Sequence, residues 1–181
     1  LGSGDGSAPV RAPYIYQRGQ NLYFGFNDAS NVQRGSSTTN NPLTLNAWNH
    51  IAVTFDGTNY RVYVNGAEQL NYTGAAGYET GPGKYLDKIG AADNYFQGGI
   101  DEVRIWSTVR TPLEIRNAMN KPLAGTEVGL IAYYDFNHSD TNTLINKAVT
   151  GATYNGSRSG FAATTEGWGA STAFNTAPVI T

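Results

Sequence analysis

Two short segments of alternating side chains, joined by a turn, constrain the fold of this chain more than any other feature. The first covers residues 51–55, where apolar side chains such as Ile51 and Val53 alternate with smaller or polar ones. This period of two predicts a strand with one face in a core. The second covers residues 60–64 and ends at Asn65-Gly66, a dipeptide that readily supplies the positive φ angles of a tight hairpin. The pattern therefore predicts three consecutive antiparallel strands.

Weaker signals on both sides of this hairpin complete an all-β prediction with one short helix. Further strands are predicted at residues 14–17, 22–26, 88–90 and 98–106. The helix is predicted from Pro112 to about Met119, because Thr111 and Glu114 match a capping box and proline is favoured at the first helical position. Trp48 and Trp106 flank alternating segments and are predicted to be packing residues at the edge of a sandwich.

Composition favours an extracellular module and argues against several classes of protein. Only 14% of the 181 residues are charged, against about 25% in a typical globular domain. The net charge of −2 supplies no cationic field, so nucleic acid is not expected as a partner. No apolar run is long enough for membrane insertion. Without cysteine, any metal must be held by oxygen ligands, which favours calcium.

Five separated motifs carry a resemblance to a known family. They are W-N-H-I-A-V-T-F-D-G at 48–57, Y-V-N-G at 63–66, K-I-G at 88–90, F-Q-G-G-I-D-E-V-R-I-W at 96–106 and R-T-P-L-E-I at 110–115. In this order they resemble the laminin G-like and pentraxin-like domains of the concanavalin A-like lectin/glucanase superfamily. The resemblance implies an antiparallel jelly-roll β-sandwich, although the same scaffold hosts many functions.

The resemblance also sets an expectation about domain organisation. Residues 1–147 are predicted to form the sandwich, but the opening strands usual in the family have no counterpart here. Residues 148–181 form a tail that either completes the sheet or links to a following domain. Because unpaired sheet edges promote association, a neighbouring chain is the other candidate source of the missing strands, and it is slightly favoured.

Asp101 and Glu102 are the most prominent pair of carboxylates, and two interpretations of them remain open. Catalytic carboxylates in related glucanases occupy alternate positions on one strand, whereas neighbouring residues point to opposite faces. No nucleophile–base motif is present either. In the first interpretation Glu102 pairs with a neighbouring Arg or Lys; in the second Asp101 is a metal ligand.

The resemblance places the metal alternative at one edge of the sandwich. In calcium-binding relatives the corresponding loop and strand start supply oxygen ligands, which here implies Asp93, Asn94 and Asp101. Exposed aromatic rings can pack against the apolar face of a sugar, so Tyr78, Tyr85 and Tyr95 beside this edge are predicted, with Asp93 and Asn94, to bind ligand. The alternative is that these tyrosines only cover the sheet.

The sequence thus predicts a non-catalytic binding module of a larger bacterial protein, secreted or on the cell surface. Its expected partner is a glycan or a cell-surface protein, in a lectin-like or adhesive role, with calcium as the candidate cofactor. The alternative function is a structural subunit or stalk module of a surface filament, self-assembled by strand completion.

Overall fold

The structure of this chain is a computed structural model that describes residues 13–27, 32–73, 88–90, 95–137 and 142–157. The chain divides into two compact units, residues 1–98 and 99–181. The predicted boundary between residues 147 and 148 stays a prediction. No helix in the described ranges has the length and hydropathy required to cross a bilayer.

In the part of the first unit that the structure describes, the strands form two antiparallel sheets of three strands each. The strands are β1 (Tyr14–Arg18), β2 (Asn21–Asn27), β3 (Gln33–Ser37), β4 (Ile51–Phe55), β5 (Asn59–Val64) and β6 (Ala67–Thr73). The sheet orders are β1-β2-β3 and β4-β5-β6. The predicted hairpin is confirmed, because Asn65 and Gly66 join β5 to β6 with φ angles of 50° and 77°.

Aromatic and branched side chains from both sheets form one core. The ring centroids of Phe24 on β2 and Tyr60 on β5 lie 4.0 Å apart, and Phe26 lies 5.4 Å from Tyr60. The buried members of this core are Leu22, Phe24, Phe26, Leu43, Tyr60, Val62 and Val64. Burial of these alternate positions gives the first unit the two-layer packing of a β-sandwich.

Strand β4 departs from its predicted burial. Ile51 and Val53 pair with the buried Val64 and Val62, yet they are 41% and 36% exposed. Among the described residues β4 pairs with β5 alone, so its side chains lie at an edge. Thr54, on the other face, is the buried residue of this strand. The alternating pattern therefore located the strand but not its place in the sheet.

The second unit contains short elements around a smaller core. They are β7 (Val103–Trp106), α1 (Pro112–Ala118), β8 (Leu130–Tyr134), β9 (Thr143–Leu144), a 3₁₀ helix (Gly151–Tyr154) and β10 (Gly156–Ser157). The antiparallel pairs are β7-β8 and β9-β10. Leu130, Tyr133 and Ala148 form the buried cluster, and Trp106 packs against it.

The capping box at the start of α1 is confirmed. The Thr111 hydroxyl accepts a hydrogen bond from the Glu114 amide at 3.2 Å, and the Glu114 carboxylate accepts one from the Thr111 amide at 2.8 Å. Met119 is the C-cap. These reciprocal bonds satisfy amides that have no partner inside the helix.

One predicted strand is shorter than expected, and another belongs to no sheet in the described residues. The strand predicted at 98–106 begins only at Val103, because Glu102 has a φ of 55° and interrupts the extended backbone. Residues 88–90 form no strand beyond an isolated bridge at Lys88.

A buried polar network joins β8 to the segment that follows it. The Asn146 side chain accepts hydrogen bonds from the amides of Tyr133 and Ala148 at 2.8 and 3.0 Å. Asp135, which is buried, is paired with Lys147. Burial by itself would raise the pKa of Asp135, but the hydrogen bonds from Lys147 and Asn137 outweigh it and hold that pKa below its usual value.

The core assignment predicts unequal effects of truncating two aromatic residues. Phe24→Ala removes a buried ring and should lower the free energy of unfolding by about 3 to 5 kcal/mol. Trp48 is 36% exposed, so Trp48→Ala should have a smaller effect. Urea denaturation of both variants checks this. An equal or larger loss for Trp48→Ala would contradict the assignment.

The Asp135–Lys147 pair predicts a loss of stability in acid. The pKa of Asp135 is lower in the folded chain than in the unfolded chain, so the unfolded state takes up the proton first as pH falls. Its stabilisation is complete above about pH 5 and disappears as pH falls through the folded pKa. The stability difference between wild type and Asp135→Asn should therefore shrink from pH 7 to pH 3 in urea denaturation. A difference that stays constant would contradict this origin.

Candidate functional site

The predicted metal and ligand edge is only partly covered by the structure. Tyr78, Tyr85, Asp93 and Asn94 lie outside the described residues. Tyr95 is 85% exposed, as a ligand-binding ring would need to be. The Asp101 carboxylate accepts a hydrogen bond from the Glu102 amide at 2.8 Å. Within the described part no three His, Asp or Glu side chains are grouped to hold a metal, and the calcium site stays a prediction.

Glu102 lies in a network that ties β7 to the end of α1. Its carboxylate is 2.8 Å from the Arg104 guanidinium, which confirms the predicted pairing with an arginine. The Tyr133 hydroxyl lies within 3.0 Å of both carboxylate oxygens. Arg104 also donates to the carbonyls of Ala118 and Lys121 at 2.8 and 2.6 Å. Burial, followed by the Glu102 carboxylate, raises the pKa of Tyr133 well above its usual value.

This network has a structural role. The Glu102 carboxylate is engaged by both a cation and a hydroxyl, and the positive φ of Glu102 orients it toward them. Arg104 braces the turn after α1 by donating to the carbonyl of Ala118, the last residue of the helix, and to that of Lys121, three residues later. The arrangement holds the second unit together around Tyr133.

A group of three stacked tyrosines occupies the other unit. Tyr14 and Tyr16 on β1 and Tyr23 on β2 have ring centroids 5.1 to 6.1 Å apart and ring planes within 26° of one another. They alternate with Ile15, Leu22 and Phe24, which face the core, so they lie on the outer face of the β1-β2-β3 sheet. We refer to Tyr14, Tyr16 and Tyr23 as the tyrosine cluster.

Two glycines let these rings lie against the sheet. A Cβ atom at Gly25 would come within 2.6 Å of the Tyr14 hydroxyl, and one at Gly35 within 2.8 Å of the Tyr23 hydroxyl. Gly25 and Gly35 are paired across β2 and β3, so the two bare positions are adjacent. The rings therefore cover backbone where any other residue would place a side chain.

Exposure differs across the tyrosine cluster. Tyr14 is buried, and the Gln33 side chain on β3 hydrogen-bonds to its hydroxyl. Tyr16 is 39% exposed and offers the most accessible ring. Burial, followed by the neighbouring Tyr14, raises the pKa of Tyr23, so its hydroxyl stays protonated at neutral pH. The cluster thus presents the exposed Tyr16 ring next to two less accessible rings.

Both strands of the tyrosine cluster were predicted from the sequence, but the cluster was not. The observed turn is Gly19-Gln20, which pairs Arg18 with Asn21 and therefore Tyr16 with Tyr23. Had the turn been predicted as these two residues alone, the register of β1 against β2 would have followed from the sequence. The predicted strands at 14–17 and 22–26 leave four residues between them, so the cross-strand pair was not identified.

The network around Glu102 predicts a large effect of removing its cation. Arg104→Met leaves a largely buried carboxylate without its ionic partner and should lower the free energy of unfolding by about 3 kcal/mol. Arg110→Met is the control, because Arg110 pairs with the partly exposed Glu114 and lies 4.3 Å from the centre of the Trp106 ring, and this change should have a smaller effect of about 1 kcal/mol. Urea denaturation measures both, and equal effects would contradict the structural role.

Comparisons with known proteins agree with this architecture. Residues 2–116 match the Laminin_G_3 family model, which is described as belonging to the concanavalin A-like lectin/glucanases superfamily. No curated protein matches the chain.

Two solved structures are similar to the chain. A candidate carbohydrate binding protein from Bacteroides ovatus aligns with a TM-score of 0.55 and 20% identity. The alignment covers 75% of this chain but only 42% of that protein. An S-layer domain-containing protein from Clostridium thermocellum aligns with a TM-score of 0.33 and 19% identity over 65% of this chain and 60% of that one.

The antiparallel sheets, the single short helix and the matched family model agree with one another. The predicted fold class is confirmed as an all-β sandwich of the concanavalin A-like type. The chain belongs to the laminin G-like family of the concanavalin A-like lectin/glucanase superfamily.

Proposed function

We propose that this chain is a non-catalytic carbohydrate-binding module of a secreted or cell-surface protein, and that sugar stacks on the tyrosine cluster. The observation that carries the proposal is the exposed side chain of Tyr16, whose ring plane lies within 8° of that of Tyr14 and 26° of that of Tyr23. A pyranose presents an apolar C–H face that packs against a flat aromatic ring. Large, fixed aromatic groups with few polar neighbours are typical of small-molecule sites.

The surroundings of the cluster support binding to a polar ligand with an apolar face. Gln33 on the same face donates to Tyr14, which fixes the innermost ring. Asn21 lies on the same face beside the turn between β1 and β2, and its side-chain amide donates a hydrogen bond to the side-chain oxygen of Asn41. Fixed rings lose little conformational freedom on binding, which favours affinity.

The comparisons support the class of ligand. The Bacteroides ovatus protein is described as a candidate carbohydrate binding protein, and this chain spans 42% of its length. The low content of charged residues and the turn-rich composition favour an extracellular setting. Adhesion by the whole protein is part of the same proposal.

The proposal predicts a loss of glycan binding when the exposed ring is removed. Tyr16→Ala should weaken binding of a glycan identified from an array by about tenfold or more, as expected for an aromatic anchor at an interface. Affinity electrophoresis or calorimetry measures the change. Tyr95→Ala is the matched control, because it removes a more exposed tyrosine from the predicted metal edge.

The opposite result would identify the other site. If Tyr95→Ala abolishes binding while Tyr16→Ala binds like wild type, the edge at residues 93–95 binds the sugar and the tyrosine cluster does not. Binding in EDTA tests the calcium prediction in the same experiment. Loss in EDTA with recovery in calcium supports a calcium-dependent edge site.

A second candidate function, self-assembly, is favoured by the edge of β4. Ile51 and Val53 continue the core face and are partly exposed, and within the described residues β4 has one partner strand. Such an edge accepts an added strand from another copy of the chain. Sedimentation at rising concentration tests this. Association abolished by Val53→Lys supports assembly, and a monomer at all concentrations contradicts it.

A further inference from the structure

Arg18 shares the outer face of the sheet with the tyrosine cluster. It follows Tyr16 by two residues on β1 and pairs with Asn21, as Tyr16 pairs with Tyr23. Because side chains alternate along a strand, Arg18 projects from the same face as Tyr16. Two residues of strand span roughly 7 Å, so the Cα atoms of Tyr16 and Arg18 lie about that far apart on the same face.

Arg18 also differs in its electrostatic surroundings from other arginines of the chain. Arg61, Arg104 and Arg110 each have a carboxylate partner within 3.0 Å. Arg18 is exposed and has no ion pair with any residue in the described ranges. Its charge is therefore available to a ligand.

The sheet around Arg18 is locally cationic, although the chain has a net charge of −2. Strands β1, β2 and β3 contain Arg18 and Arg34 and no Asp or Glu. Residues 13–27 and 32–55 contain no acidic residue, and Asp28 lies between them outside the described part. An anion that approaches this face meets a guanidinium and no described carboxylate on the three strands.

A guanidinium beside an aromatic surface suits one class of sugar. Arginine binds a carboxylate or a sulfate through two parallel hydrogen bonds, which fixes both distance and direction. An aromatic ring meanwhile contacts the C–H face of a pyranose. A glycan whose sugars carry acidic groups can satisfy both surfaces at once.

We infer that the tyrosine cluster binds an acidic glycan, and that Arg18 contacts the carboxylate or sulfate group while Tyr16 stacks against the sugar. This inference rests on the proposed function and names its ligand class. Tyr16 supplies affinity for the ring, and Arg18 supplies the preference for an acidic over a neutral glycan.

The test compares glycans that differ only in their acidic groups. Polygalacturonate is compared with its methyl ester, and dextran sulfate with dextran, by affinity electrophoresis or calorimetry on the full chain. At least one acidic member should bind about tenfold or more tightly than its neutral counterpart, and the pair that shows this distinguishes carboxylate from sulfate. The preference should weaken as salt is raised.

Two charge-removing variants make the test specific. Arg18→Gln should remove most of the preference by lowering the affinity for the acidic glycan toward that for its neutral counterpart. Arg34→Gln is the matched control, since it removes the same charge from the same sheet at a position paired with the core residue Phe26. Arg34→Gln should still bind the acidic glycan more tightly than its neutral counterpart. Melting temperatures near that of wild type confirm that both variants fold.

The outcomes distinguish the preference for acidic glycans from the carbohydrate-binding function on which it rests. If acidic and neutral glycans bind equally through Tyr16, or if Arg34→Gln matches Arg18→Gln, the acidic specificity is overturned and the carbohydrate-binding function stands. If wild type binds neither acidic glycan, the acidic specificity is likewise overturned. If Tyr16→Ala binds the glycan identified from the array like wild type, both the inference and the function at this site are overturned.

Discussion

The contact between Phe24 and Tyr60 is the interaction on which the first unit depends. Neither sheet alone can bury its apolar face, because a three-stranded sheet exposes that face to water until a second layer covers it. The two rings meet at a centroid distance of 4.0 Å, and Phe26 and Phe55 add two further rings beside Tyr60. Once one face of β2 is committed to this core, Tyr23 and Gly25 must face outward. The core thus determines where the tyrosine cluster lies.

The sequence predicted the features that depend on local chemistry. The Asn65-Gly66 turn requires two positive φ angles, and the capping box requires a hydroxyl and a carboxylate three residues apart. Such signals involve few neighbours along the chain, so they can be recognised without knowledge of the tertiary structure. The pairing of Glu102 with an arginine was predictable for the same reason, since Arg104 is two residues away.

Features that depend on partners far along the chain were less predictable. The exposure of Ile51 and Val53 follows from the position of β4 at the edge of its sheet, which alternation does not encode. The late start of β7 follows from the backbone of Glu102, which turns its carboxylate toward Tyr133, 31 residues on. The tyrosine cluster depends on the register of β1 against β2, and a shift of one residue would move Tyr23 to the other face.

The paired glycines beneath the cluster have a consequence for how this surface can vary among related chains. Gly25 and Gly35 leave the backbone bare, and the ends of Tyr14 and Tyr23 rest on it. A Cβ atom at Gly25 would displace the Tyr14 ring. One at Gly35 would clash with the Phe24 carbonyl oxygen as well as the Tyr23 hydroxyl, so it would disturb the pairing of β2 with β3 together with the ring. The glycines therefore determine how closely the Tyr14 and Tyr23 rings approach the sheet. A related chain that keeps its tyrosines but replaces these glycines would retain the same aromatic residues and lose the stacked arrangement of their rings.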